Sequence, residues 1–437
     1  MAFLHMHSCE CNKSELDLFN LLPTQTSIEN LHWVRHNPIS SLTGDSPIEF
    51  TIPGSGDEYL DLAHTLFYVK VSIKTDPPLA EDRADDVAKV GPVNNFMHLL
   101  FGQIDVLLNH QSVSSQDNAY AYKAYIETLL NYGSSAKESH LSSVLWYDDT
   151  PGKMNSFTEN VGLTKRRGLL TGTTKTVDMI GHLHCDVFNQ DKLLINGVEV
   201  SIKMHLNRDG FAIMDPTAVY KVHIEEASIL VRRVKITPTV LIAHANALAK
   251  QSAKYPITRV QIKSIVLHAN IHGESIDNII LGQLPKRIII GFVKNQAFNG
   301  DRSMNPFNFE HFGINYISLY VDGAQVPSRQ LQPNFTDGLY AEAYQSLFSG
   351  TGFHFLNQGN SISREAFAKG YCLFAYDLTP DLSAKDNTHW NLVRHGSVRL
   401  DVRFREPLTT TINCIVNGEY ANVLEIDAAR QCIVEFS

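Results

Sequence analysis

A chain of 437 residues exceeds what one ordinary core accommodates, so two domains of about 200 residues are expected. Apolar residues make up 43% and charged residues 19%, which excludes a disordered chain and fits a well-buried globular one. The net charge of −9, from 37 basic against 46 acidic residues, argues against sequence-independent binding of DNA or RNA by the bulk surface.

Residues 1–44 lack strand alternation and read as an N-terminal arm. Their one amphipathic piece is Glu15-Leu16-Asp17-Leu18-Phe19-Asn20-Leu21-Leu22, stopped by Pro23. Such a segment either folds back on its own domain or reaches a neighbouring subunit, with Leu18 and Phe19 as contacts. The N-terminus has neither a basic leader nor a sustained apolar core, so secretion is not expected. No run of eighteen apolar residues occurs, so no transmembrane helix is expected. Cys9, Cys11, Cys185, Cys372, Cys414 and Cys432 are too sparse for a disulfide scaffold and suit a reducing compartment, cytosol or nucleus. The sequon Asn334-Phe335-Thr336 is then incidental.

The first domain is expected over 45–237. Ile48, Phe50 and Ile52 alternate with polar residues, and Phe67, Val69, Val71 and Ile73 do the same after a turn at Gly54–Asp57. Phe101 to Asn109 is a strand ending in a turn, followed by a helix-like segment with Ala124-Tyr125. The polar stretches 81–91 and 134–167 lie outside the sheets. Val198, Val200, Ile202 and Met204 mark another half-buried strand, and Tyr220–Ile236 is one bent strand or two. Thr237 as N-cap and Pro238 at the first helical position open a linker helix over 238–254, rich in Ala and Leu.

The second domain, 255–437, repeats the first in order. Ile288–Val293 matches Phe67–Ser72, and Asn305-Pro306-Phe307 stands where Asn95-Phe96 stood. Phe312-Gly313 with Tyr316–Asp322 matches Phe101–Asn109, so Ile104 and Ile317 correspond. Ala343-Tyr344 matches Ala124-Tyr125, Gly370 with Asp377 matches Gly181 with Asp186, and Gly396–Phe404 matches Gly197–His205. Ordered self-similarity at half the chain length is the mark of a duplicated unit. Many short strands, long loops and one helical insert per half describe an all-β chain of two tandem eight-stranded jelly rolls, a double jelly roll with short helical inserts and a linking helix.

Catalytic signatures are weak. Gly181-His182-Leu183-His184-Cys185-Asp186 offers a His-x-His as in metal-binding cupins. On a strand, however, His182 and Asp186 are about 13 Å apart, too far for one ion, so the segment is expected to be a polar outer face opposite Leu183, Cys185 and Val187. His5, His7, Cys9 and Cys11 are spaced too closely for the usual zinc clip. No nucleophile elbow, phosphate loop or dinucleotide fingerprint is present. No catalytic, cofactor or metal residue is assigned. Lys165, Arg166 and Arg167, with Arg232-Arg233, are the dense positive spots; solvated charge is the plain reading, contact with packaged nucleic acid or an acidic partner the sharper one. Trp33, Trp146 and Trp390 fall outside the confident strands and serve either self-packing or subunit contacts.

Taken together, the residues resemble a known family, the double jelly-roll major capsid proteins of Polinton/Maverick elements and adintoviruses. The marks are Glu15–Phe19 with Pro23–Ser27, Pro38–Leu42, Pro47–Phe50, Tyr59–Leu62, Asn118–Tyr125 with Leu129–Gly133, and Phe374–Leu378. The resemblance implies a non-enzymatic homotrimer whose six jelly rolls form a pseudo-hexameric capsomer that tiles an icosahedral shell around DNA. It implies a separate single jelly-roll penton protein at the vertices, and DNA contact only indirectly or through local basic patches. It places the chain in a virion capsid, made in the cytosol and assembled in the host nucleus. The rival readings are a bicupin-type metalloenzyme and a two-domain jelly-roll ligand-binding protein, lectin-like or domesticated.

Overall fold

The computed structural model describes residues 14–434 except 20, 43–45, 76–88, 116, 171–174, 218, 354–356, 358 and 387–388. The first half carries β1 (Ile28–His36), β2 (Ile48–Ile52), β3 (Glu58–Thr75), β4 (Gly91–Pro92), β5 (Phe101–Leu108), β6 (Gln111–Ser112), β7 (Thr176–His182), β8 (Val200–Leu206), β9 (Ile213–Met214) and β10 (Tyr220–Ile236). The second half carries β11 (Ala253–Leu267), β12 (Gly273–Gln283), β13 (Arg287–Lys294), β14 (Ile314–Val321), β15 (Ala324–Leu331), β16 (Leu373–Asp377), β17 (His395–Phe404), β18 (Ile412–Ile426) and β19 (Cys432–Val434). The longer helices are α1 (Tyr120–Asn131), α2 (Val161–Gly168), α3 (Pro238–Leu248) and α4 (Ala341–Thr351).

Apart from the two-residue β4–β9 pair and the short β19, each half supplies eight strands among the described residues. They build the sheets β1-β10-β3-β7 and β2-β8-β5-β6, then β11-β18-β13-β16 and β12-β17-β14-β15. Numbered within its own half, each set runs first-eighth-third-sixth in one sheet and second-seventh-fourth-fifth in the other. That order is the jelly roll, and the chain is a double jelly roll. Ile104 pairs with Met204 and Ile317 with Val402, so both members of the repeat face the seventh strand of their own half. The Asp186–Asp377 match does not hold residue by residue: Asp377 ends β16, whereas Asp186 lies beyond β7 in a short helical turn, Asp186–Phe188.

The alternation seen in sequence is the alternation of burial. Phe67, Val69, Val71 and Ile73 are enclosed on β3, and Val200, Ile202 and Met204 on β8. The continuous apolar run of β13 is buried on both faces, as expected where each side of a sheet is covered. β10 is a single long strand, bent by register shifts at Ile224/Glu226 and Leu230/Arg232.

Two expectations need correction. Residues 28–36 are not arm but β1, paired with β10 from Ile28↔Ile236 to His36↔Ile229. The strand sits at a sheet edge with most of its residues exposed on both faces, so no period of two was there to read. The linker helix ends at Leu248, because Ala253–Tyr255 are taken into the ladder with β18. Thr237 does not cap it with its side chain; its hydroxyl and its N–H both donate to the Ser27 carbonyl.

One apolar core runs through both halves. At the seam, Phe307 stacks on Tyr125 at 3.8 Å, with Tyr122, Phe211 and Phe309 around them. Polar contacts border these rings: Asn305 Nδ2 donates to Asp149 Oδ2 at 2.8 Å and Tyr371 Oη to the Asp149 carbonyl at 2.7 Å. Gly210 approaches Gly300 so closely that a Cβ on Gly210 would lie 2.3 Å from the Gly300 oxygen.

Candidate functional site

The His-x-His segment does not form a polar outer face. β7 ends at His182, and the chain then turns inward beneath α1, so His184 and Asp186 are buried along with Leu183, Cys185 and Val187. Each polar group meets its own partner. His182 Nε2 lies 2.9 Å from Asn189 Oδ1, and His184 Nδ1 lies 2.7 Å from Glu127 Oε2. Asp186 takes the Lys123 ammonium and, at 3.4 Å, the Val260 N–H from the other half. His98 packs edge-on against the His184 ring at 4.7 Å and shares a hydrogen bond with Tyr120 Oη at 3.0 Å. Among the described residues no three His, Cys, Asp or Glu side chains converge as a metal site. His5, His7, Cys9 and Cys11 lie outside the described residues.

This cluster has a pH consequence. Burial, then the neighbouring His184 and His182, hold the His98 imidazole well below its ordinary value of 6.5. Burial likewise lowers His182. Burial alone would raise Glu127, but Lys123 and the His184 hydrogen bond outweigh it and hold its carboxyl below 4.5. A histidine whose folded value is depressed leaves the unfolded chain to take the proton first as pH falls. Its contribution is therefore intact above about 6.5 and lost below it, and Glu127 extends the loss to lower pH. The melting temperature is expected to fall steadily between about pH 7.5 and about pH 5.5; a flat profile would remove the histidines from this account.

The described cysteines are poor nucleophiles. Cys185, Cys372, Cys414 and Cys432 are free and buried. Burial pushes the Cys185 thiol up to about 12 and that of Cys432 to about 11, so neither is a thiolate at neutral pH.

The basic run divides. It lies on α2, whose N-cap Asn160 accepts the Leu163 N–H. Lys165 faces solvent, but Arg166 is fully buried, paired with Asp149 at 2.6 Å and bonded through Nε to the Pro92 carbonyl. Arg167 donates to the carbonyls of Lys89 and Phe157. Arg166 is thus enclosed and not an outward charge; Arg167 is half-buried and tied to loop carbonyls of the first half, and Lys165 is the outward charge of the three. Trp146 also turns inward. It is fully buried against Tyr125, with Nε1 donating to Asp148 at 2.9 Å, which is the self-packing reading.

The other named contacts stand outward. Phe19 is 95% exposed and Leu18 76%, Trp33 on β1 is 46% exposed, and Trp390 in the loop before β17 is 50% exposed. Leu382, Leu392 and Val393 stand out of that same loop. Sequence reasoning passed over α3, taken only as a linker. Its signal was the absence of any charged residue from Pro238 to Leu248, combined with an outward position that leaves Leu248 as its buried residue.

No protein-family model matches the chain. By sequence, an uncharacterized protein of Caenorhabditis elegans, F54H12.2, is 25% identical over 427 residues, covering 94% of this chain and 99% of that protein. By structure, a chain of the Sputnik virophage, solved by cryo-EM, matches with a TM-score of 0.65 at 12% identity, over 99% of this chain and 94% of that one. The mavirus major capsid protein matches with a TM-score of 0.57 at 11% identity, over 100% of this chain and 97% of that one. The likeness to both is one of fold, the double jelly roll.

Proposed function

We propose that the chain is a major capsid protein that works by self-assembly and carries no catalytic site. One observation carries the reading: two complete jelly rolls of identical strand order are locked side by side by a common core, while apolar side chains on the arm, β1, α3 and the Trp390 loop remain uncovered. Three such chains present six near-equivalent flanks, so a true trimer packs as a hexagon in a shell around DNA. Such a shell needs a different protein, a single jelly roll, at its five-fold vertices. The fold shared with the mavirus capsid protein supports this reading, and the co-extensive nematode relative favours a Polinton/Maverick element over a free virus. Assembly in the host nucleus is part of the same proposal. The first jelly roll is placed at 28–237 in this proposal, α3 as the link, and the second from 253 onward. The metalloenzyme alternative loses its footing in the divergence of His182, His184 and Asp186 onto separate partners.

Light scattering on the purified chain is expected to give a particle of three times 48.9 kDa, and negative-stain images to show six-sided outlines. A chain that stays monomeric at micromolar concentration across salt and pH would overturn the proposal.

A further inference from the structure

Lys123 and Asp186 bring a primary amine against a carboxylate away from water. Lys123 stands on α1 and Asp186 in the turn after β7, 63 residues later. Their side chains are 11% and 3% exposed and hydrogen-bonded to each other. Two other buried ion pairs, Arg166 with Asp149 and Arg287 with Glu419, use a guanidinium, which stays protonated in proteins and is no nucleophile. Lys74 with Glu225 and Lys153 with Glu159 have the amine, but stand toward solvent.

Three features surround the buried pair. Glu127 lies one helical turn on from Lys123, and its charge acts on both Lys123 and Asp186. The Val260 N–H of the second half reaches Asp186 Oδ1 at 3.4 Å and holds the carboxyl in place. Beside them a cavity of about 20 Å³, lined in part by Ser114, Ser115 and Tyr120, has room for one water.

We propose that Lys123 and Asp186 close an amide bond between their side chains, with Glu127 as the proton carrier and one water as the by-product. The resting pair is charged: burial alone would lower the Lys123 ammonium, but Asp186 and Glu127 outweigh it. Burial lifts the Asp186 carboxyl above its ordinary 3.8, so its acid form is within reach. One proton passing from Nζ to the carboxyl gives a neutral amine and a neutral acid. The nitrogen lone pair then adds to Cγ. Glu127, held below 4.5 and therefore a carboxylate, takes a proton from Nζ and hands it to one carboxyl oxygen. That oxygen leaves as water into the adjoining cavity, the other becomes the amide carbonyl, and no oxidant or cofactor enters. Reacting groups held in contact behave as if at very high concentration, and exchanging two buried charges for a neutral amide removes their desolvation cost. The event happens once per molecule and turns over no external substrate, and it does not rest on the capsid reading.

The test weighs the full-length chain, purified and denatured, by mass spectrometry. The chain is expected to be lighter than its sequence by one water, and its tryptic digest to contain a branched peptide joining Lys123 to Asp186. Lys123→Arg keeps the charge but removes the amine, and is expected at its full sequence mass. Timed in cell-free synthesis, Glu127→Gln is expected to close the bond about a hundredfold more slowly than the parent. A parent still at full sequence mass after days at neutral pH, a branched peptide at other residues, or a water lost from Lys123→Arg as well would each overturn the bond. Closure of Glu127→Gln at the parent's rate would overturn the proton-carrier role. The parent's mass and peptide map decide the matter even where a variant fails to fold.

Discussion

Replacing Phe307 with alanine is expected to destabilise the protein by roughly 3–5 kcal/mol, the range for deleting a fully buried aromatic. The ring is wholly enclosed, stacked on Tyr125 at 3.8 Å with an interplanar angle of 14°, and meets Tyr122 and Phe211 edge-on. Phe307 comes from the second half; its three neighbours come from the first. The cavity would therefore open at the seam, where both halves lose contacts together. Calorimetry is expected to show one unfolding transition for the parent and two for Phe307→Ala, as the halves uncouple. A single transition with an unshifted midpoint would mean that the aromatic cluster is not what joins them.

Arg166→Met is expected to cost a comparable amount, roughly 3–5 kcal/mol, because it leaves one member of a buried ion pair without its partner. Asp149 and Arg166 are both fully buried in their side chains. Asp149 Oδ1 accepts from Arg166 and from Asn160, and Oδ2 from Asn305 of the other half. With the guanidinium gone, two neutral amides face a carboxylate shut away from water. The double variant Asp149→Ala with Arg166→Met is expected to be less damaging than the sum of the single changes, since both charges leave together. Denaturant titration of the four proteins measures this; strict additivity would show that the pair is not coupled.

The tandem repeat was legible because half-buried strands must alternate. Phe67–Ile73 and Val198–Met204 carry that alternation, and their partners in the second half stand in equivalent places in the sheets. β1 was illegible for the converse reason: an edge strand with most of its residues in solvent has no face to mark. Burial of charge was also beyond the one-dimensional pattern. Lys165, Arg166 and Arg167 read alike in sequence, and the approach of Asp149, seventeen residues upstream of Arg166, turns the middle one inward. The His184 and Asp186 environments depend on α1, whose Lys123 and Glu127 lie one helical turn apart and about sixty residues away. The outward face of α3 was legible in principle, in its lack of charge, but a helix between two β domains reads first as a connector.

For the shell proposed above, the seam bears on how the wall would acquire its curvature. With Phe307 wedged among Tyr122, Tyr125 and Phe211, and with Gly210 against Gly300, the two halves are packed directly against each other. Each molecule is then a rigid brick. In the proposed shell, bending of the wall would fall to the joints between molecules, so container size would be a property of those joints and not of the brick.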